Sequence, residues 1–232
     1  MTIAVIIPVF NEEAALPRLL KELLSKGFDE IIVVDGGSRD RTIEVAQPFL
    51  KQPLSGRIQL VSSGCGRAVQ MNAGAKNTQA EVLVFLHADT NLPDRALQYI
   101  RQAMADASNV GGRFDVRFPK DRGWAWVISR MMNLRSRWTG ICTGDQTIFV
   151  RRGVFERLGG FADIPLMEDI EFTTRLKTVG PVVALREFVI TSFRRWERCG
   201  PLRTILRMWT LRLLYWMGWD PRRLQQFYDA IR

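Results

Sequence analysis

Apolar runs with little polar alternation recur along the first half of the chain, each followed by a segment of helical period. Residues 3–9 (IAVIIPV) precede a stretch in which Leu16, Leu19, Leu20, Leu23 and Leu24 recur at helical spacing up to Gly27. Residues 30–38 (EIIVVDGGS) lead into RDRTIEVAQPFL, with Ser38 as the expected N-cap. Residues 57–63 (RIQLVSS) precede GCGRAVQMNAGAKN, and residues 81–90 (EVLVFLHADT) precede PDRALQYIRQAMADA. Strands that are apolar throughout and alternate with helices predict an α/β fold, with a mainly parallel sheet covered on both faces. In such sheets ligands bind beyond the carboxyl ends of the strands, where Asp35 and Asp89 fall.

The second half is less regular. Residues 111–118 (GGRFDVRF) alternate like a half-exposed strand, and DRGWAWVISRMMNLRSRW has helical character. Residues 144–152 (GDQTIFVRR) read as a strand, residues 166–180 as a helix with acids in its first turn, and PVVAL and FVITSF as further strands. Trp124, Trp126 and Trp138 are expected to pack in the core, stacking on a sugar being the other use for such rings. From Thr204 to Trp219 the apolar residues point all round a helix, and between Arg194 and Arg223 there are eight arginines and two acids. Arginine mixed with aromatic bulk suits a helix lying on an anionic membrane surface. A buried helix or a homodimer contact fits the same pattern.

The chain has 232 residues, 33 of them Lys or Arg and 24 Asp or Glu, for a net charge of +9. That length suits one domain, and the charge favours anionic partners: nucleotide phosphates, nucleic acid or an acidic membrane. Cys65, Cys142 and Cys199 form no C-x-x-C pair and there is one histidine, so free thiols in the cytoplasm are expected and a zinc cluster is not. The N-terminus lacks a basic segment ahead of its apolar run, and no stretch is long and apolar enough to predict a transmembrane helix.

Three carboxylate settings carry the candidate chemistry. Asp35, followed by Gly36 and Gly37, lets a ligand approach the backbone while the carboxylate accepts hydrogen bonds from a base or ribose; a local turn reads the same way. Asp89 in HADT suits Mg2+ or Mn2+ held with phosphates, or a cap on the following helix. Glu168 and Asp169 open a helix, where the dipole favours acids, and one of them could serve as a general base. Arg67 and Lys76 on the Gly-opened helix, and Arg194, Arg195 and Trp196, add cations suited to phosphate. The glycine-rich segment fits neither the dinucleotide fingerprint nor the P-loop. No G-x-S-x-G elbow is present.

The ordered series IIPVFNEE, IIVVDGGSRDRT, GRAVQMNAGA, VLVFLHADT, GDQTIFVRRGVFERLGGF and MEDIEFTTRLKTVG resembles the family-2 inverting glycosyltransferases of the GT-A fold. The likeness runs from about Ile3 to Gly180 and is greatest to small bacterial members with LHADT in place of Asp-x-Asp. It implies a nucleotide-diphosphate sugar donor, typically UDP-linked, an acceptor hydroxyl and a divalent metal (Mn2+ or Mg2+). Carried over by position, the donor contacts are Pro8, Asn11, Glu12, Asp35, Gly36, Arg67, Asn72, His87, Asp89 and Asp145, with Arg195 and Trp196 toward phosphate. Asp89 is the implied metal ligand with His87 second, and Asp169 is the implied catalytic base. FRRWE is a shortened form of a Gln-x-x-Arg-Trp motif and lacks its Gln. The expected organisation is a domain over 1–200, with donor-binding residues 1–110 and acceptor and catalytic residues 111–200, followed by a basic helix over 201–232. A sugar-nucleotide pyrophosphorylase and a basic membrane- or nucleic-acid-binding module are the competing readings. The first lacks its Gly-rich basic loop after strand one, where NEEAALP stands. The second leaves the three acids unexplained, so no nucleic-acid partner is expected.

Overall fold

A computed structural model describes residues 1–50 and 57–229 of the chain; the side chains of residues 195 and 229 lie outside that description. The first half builds β1 (Ile3–Val9), α1 (Leu16–Lys26), β2 (Glu30–Asp35), α2 (Thr42–Leu50), β3 (Ile58–Ser62), α3 (Arg67–Lys76), β4 (Val82–Phe85), the short β5 (Thr90–Asn91) and α4 (Ala96–Ala105). The second half builds β6 (Gly111–Arg117), α5 (Trp124–Thr139), β7 (Ile148–Arg151), α6 (Arg152–Arg157), α7 (Glu168–Val179), β8 (Val182–Thr191), α8 (Arg194–Cys199), α9 (Pro201–Trp216) and α10 (Pro221–Asp229). One sheet crosses both halves in the order β3-β2-β1-β4-β7-β6-β8-β5. β1, β2, β3 and β4 pair in parallel, as do β6 and β8; β7 enters antiparallel between β4 and β6, and β5 pairs antiparallel with β8.

Strand alternation divides the core into two layers. In β1, Ile3, Val5, Ile7 and Val9 face α1 and α4 with the α1 leucines and Ile100, while Ile6 faces the layer holding Met71, Phe155 and Phe172. α3 lies close on the second face because Gly74 permits it: a Cβ there would fall 2.4 Å from Ile6 Cγ2 and 3.0 Å from Val34 Cγ2. Gln70 of the same helix is buried, and its amide donates to the carbonyls of Val9 (2.7 Å) and Val34 (2.8 Å), tying α3 to the ends of β1 and β2. Gly74→Ala should therefore cost about 1–3 kcal/mol by overpacking. Urea unfolding measures it, and a midpoint equal to that of the parent chain would refute the close approach.

Several expectations are corrected. Ser38 does not cap α2; its hydroxyl accepts from Asn11 N, and Asp40 accepts from Thr42 N at the helix start. Residues 144–146 form a 3-10 turn, and the strand begins only at Ile148. PVVAL and FVITSF are one strand, β8, and β6 is a buried interior strand, Gly111 to Phe114 being enclosed because β7 and β8 flank it. Trp124, Trp126 and Trp138 do not pack in the core: they are 46%, 46% and 90% exposed. The apolar all-round pattern of the C-terminal segment resolves into one buried and one open face. Leu211 and Leu224 (α10) bury against Met167 and Ile170 at the start of α7, while Leu206 and Trp209 face outward. Among the described residues no helix is long and apolar enough to cross a membrane.

Candidate active site

The carboxyl ends of the parallel strands are stitched together by backbone donors. Asn11, just past β1, holds φ 55°; its side chain accepts from Arg39 N (2.8 Å) and its own N–H donates to the Ser38 hydroxyl (3.0 Å). Glu12 N donates to the Thr42 hydroxyl, Pro8 pairs with Val34 across the sheet, and Gly36 N donates to Val9 O. Asp35, the buried last residue of β2, accepts from Gly37 N (2.9 Å) and Ser38 N (3.1 Å). A carboxylate offers about four lone-pair sites, so the turn leaves it capacity to accept from a ligand.

Beyond β4, His87 lies close against Gly144: a Cβ there would be 2.5 Å from its Nε2. Its Nδ1 stands 3.4 Å from Asp145 Oδ1. The 3-10 turn that carries Gly144 and Asp145 is anchored by the buried Gln146, whose Nε2 donates to Ser136 Oγ of α5 (2.9 Å). From this turn Gly144 N donates to Asp169 Oδ2 (2.8 Å), and Ile170 N donates to Oδ1 (2.7 Å). Asp89 does not cap α4, whose N-cap is Arg95; its carboxylate lies 3.8 Å from an Arg194 guanidinium nitrogen.

Electrostatics centre on the first turn of α7. Glu168 is 5% exposed. Burial, reinforced by the adjacent Asp169 charge and opposed by Arg67, pushes its carboxyl up to about 7. Burial raises Asp169 as well, against the Gly144 and Ile170 N–H groups and Arg67. Arg67, at the N-terminus of α3, is an exposed residue whose charge interacts with Glu168, Tyr228 of α10, Asp145 and Asp169. Desolvation opposes that charge, but these four groups raise its pKa above the ordinary arginine value. On the α5 side the Arg135 guanidinium is depressed by burial, offset in part by Asp169, and its Nε and Nη2 are enclosed with no hydrogen-bond partner. Burial also pushes the Cys142 thiol up to about 11, which makes it a poor nucleophile.

The structure thus brings together His87, Asp145, Arg67, Glu168 and Asp169, which four separate segments supply. Asn72 stands apart: its amide donates to Phe161 O (2.8 Å) and accepts from Phe161 N (2.9 Å), clamping α3 to the loop after α6. Trp196 also differs from expectation, its ring stacked on Phe193 and edged against Phe118 in the cluster that seats α8. The Arg195 side chain lies outside the described residues. Sequence reasoning missed Gln70, Arg135 and Tyr228. It also missed two backbone positions, Thr147 (φ 50°) and Met167 (φ 71°), where non-glycine residues take the left-handed region beside the site. Such conformations cost about 1–3 kcal/mol each and concentrate at functional sites.

Among the described residues no three His, Cys, Asp or Glu side chains converge as a metal cage. Asp89, partly open two residues after His87 and 3.8 Å from Arg194, instead fits a hard cation held by one or two protein oxygens and completed by ligand phosphates.

Residues 4–159 match the model of the family described as "Glycosyl transferase family 2". The undecaprenyl-phosphate 4-deoxy-4-formamido-L-arabinose transferase of Pseudomonas aeruginosa (strain LESB58) is 30% identical over 157 residues, 64% of this chain and 46% of that protein. The "Probable glycosyltransferase YdaM" of Bacillus subtilis (strain 168) is 26% identical over 219 residues, 84% of this chain and 50% of that protein. The chain therefore spans about half the length of these curated relatives. Among solved structures, mannosyltransferase PcManGT from Pyrobaculum calidifontis, in complex with GDP-Man and Mn2+, superposes with TM-score 0.69 at 22% identity, covering 90% of this chain and 60% of that one. Glucosyl-3-phosphoglycerate synthase from Mycobacterium tuberculosis, in complex with Mn2+, UDP and glucosyl-3-phosphoglycerate, gives TM-score 0.61 at 18% identity, covering 92% of this chain and 79% of that one. The fold is the GT-A fold, and the chain belongs to glycosyl transferase family 2.

Proposed function

We propose that the chain is an inverting, metal-dependent transferase that moves a sugar from a nucleotide-diphosphate donor, UDP-sugars first, to an acceptor hydroxyl. The observation that carries this is the Asp169 carboxylate, oriented by Gly144 N and Ile170 N across the cleft from Arg67 at the carboxyl end of the sheet. In this reading residues 1–110 hold the donor: Asp35 accepts from the base, Pro8, Asn11, Glu12 and Gly36 shape the nucleoside end, and Arg67 faces the diphosphate. Residues 111–200 supply the acceptor wall and the base. Asp169 takes the proton from the acceptor hydroxyl, which attacks the anomeric carbon opposite the leaving diphosphate, so an α-linked donor yields a β product. Asp89, with His87 second, would hold a divalent cation, which when bound neutralises charge on the leaving group. Residues 201–232 meet an anionic membrane surface.

A donor screen with UDP-, GDP- and dTDP-sugars, followed by mass spectrometry of products formed from cell extract, tests the reading. Pyrophosphate release from a nucleoside triphosphate and a sugar phosphate would instead favour a pyrophosphorylase.

The pH dependence follows from the acid pair. Glu168 and Asp169 titrate together, with Arg67, Asp145, His87 and Arg135 around them, so the apparent values belong to the pair. A base works ionised, so kcat/KM should rise with pH through a limb above the ordinary carboxylate range. Because the folded-state pKa of Glu168 lies above the ordinary 4.5, the unfolded chain gives up its proton first and stability falls as pH rises from about 4.5 to about 7. Glu168→Gln removes one charge of the pair and should move the limb to lower pH; a limb that stays in place would show that the pair does not govern turnover.

A further inference from the structure

α5 and α9 are the longest helices among the described residues, sixteen residues each; neither contains an acid, and each carries three arginines. On α9, Leu202, Leu206, Trp209, Leu213 and Trp216 return to one side of the helix and are 56–68% exposed. On α5, Met131, Leu134 and Trp138 do the same, Trp138 being 90% exposed. The two helices adjoin through Ile205, which packs against the cluster of Phe118, Ala125 and Ile128. Large exposed apolar patches mark interaction surfaces.

Charge selects the occupant. A second copy would bring the exposed Arg130, Arg137, Arg203 and Arg207 to the face with no acid on either helix to answer them, whereas an anionic bilayer complements the aromatic-aliphatic stripes and these arginines together. Beside α5 a cavity of ≈ 480 Å³ opens toward β6 and β8, lined by Arg117, Arg130, Arg137 and Arg186 against Asp115 and Asp121, with Leu134 in its wall. Arg137 pairs with Asp115 (2.8 Å) and Arg117 with Asp121 (3.6 Å), so Arg130 and Arg186 are the excess charge.

We propose that the α5–α9 face docks on an anionic lipid bilayer, and that the arginine cavity beside Leu134 seats the phosphate headgroup of one lipid. This assigns the membrane partner within the transferase reading and rests on that reading only for its biological sense, since binding is measured without turnover.

Co-sedimentation of the full chain with phosphatidylcholine vesicles, with and without one quarter phosphatidylglycerol, is the test. Binding is expected to the anionic vesicles and to weaken at high salt. The double variant L206S/W209S on α9 and the double variant L134S/W138S on α5 should each lower the partition coefficient at least about a hundredfold, about tenfold or more for each large apolar side chain whose burial is lost. R130Q with R186Q should lower it about twenty-fivefold, about fivefold per arginine. Circular dichroism and nucleotide-sugar binding, expected unchanged in all three, separate this proposal from the transferase reading: loss of donor binding in the parent chain speaks against the latter alone. Vesicle binding unaffected by the α5 or the α9 variants overturns the proposal. So does a dimer in light scattering that either apolar pair of substitutions dissolves.

Discussion

Asp169→Asn should bind the nucleotide-sugar donor as the parent chain does and turn it over about 10²–10⁴-fold more slowly, the usual contribution of a positioned general base. The substitution removes the charge and basicity that the acceptor proton requires. It also keeps only one of the two backbone acceptors, because an amide nitrogen cannot receive the N–H of Gly144 or Ile170. Some loosening of the Gly144 turn follows, so thermal unfolding is read alongside single-turnover kinetics and calorimetry with the donor. Turnover within tenfold of the parent chain, with donor binding intact, would remove Asp169 from the role. The expected loss exceeds that for Glu168→Gln, whose carboxyl is pushed up to about 7 and is largely protonated below that pH.

The second large effect is expected at Asp89. Its carboxylate lies 3.8 Å from Arg194, so without a cation the pair partly neutralises itself across the cleft mouth. Asp89→Ala should abolish the dependence of donor affinity on Mn2+, a loss of at least about 10–100-fold, since changes in the outer shell of a metal site alone cost that much. Residual binding is expected to be metal-independent, because freed Arg194 can face the diphosphate directly. Calorimetry with and without Mn2+, on the parent chain, D89A and R194Q, separates the two contributions. If D89A retains a full Mn2+ enhancement, the ligand lies elsewhere and His87 becomes the first candidate. In that case H87A should lose what D89A kept.

The parallel β-α alternation was legible because a strand covered on both faces must be apolar through its interior, and β1, β4 and residues 31–34 of β2 are so in the chain itself. Asp35, Asp89 and Asp169 were legible for a related reason: an acid that ends an apolar run, or opens a helix, interrupts a pattern that burial otherwise enforces. Helix capping shows the limit of this logic. Ser38 and Asp40 both suit the N-terminus of α2, and the choice between them fell to Asn11, which takes the Ser38 hydroxyl from twenty-seven residues away. The short-range pattern contains no information about that competitor.

By itself the sequence determined the strand–helix alternation of the first half, which ends of the parallel strands carry acids, and which carboxylates stand at the head of α7. Periodicity and charge are local properties, and they survive without knowledge of the fold. Tertiary structure decided what those residues meet. Gly144 reaches Asp169 across 25 positions, and Asn72 reaches Phe161 across 89, spending on a clamp an amide that its position had assigned to the donor. The Glu168 carboxyl rises because Met167, Leu211 and Leu224 close over the start of α7 while Arg67 offsets only part of the burial. The tryptophans of α5 face outward because Ala125 and Ile128 of the same helix already fill its inner face. Each outcome depends on which helix face packs and which loop arrives opposite, and only assembly of the whole sheet fixes those.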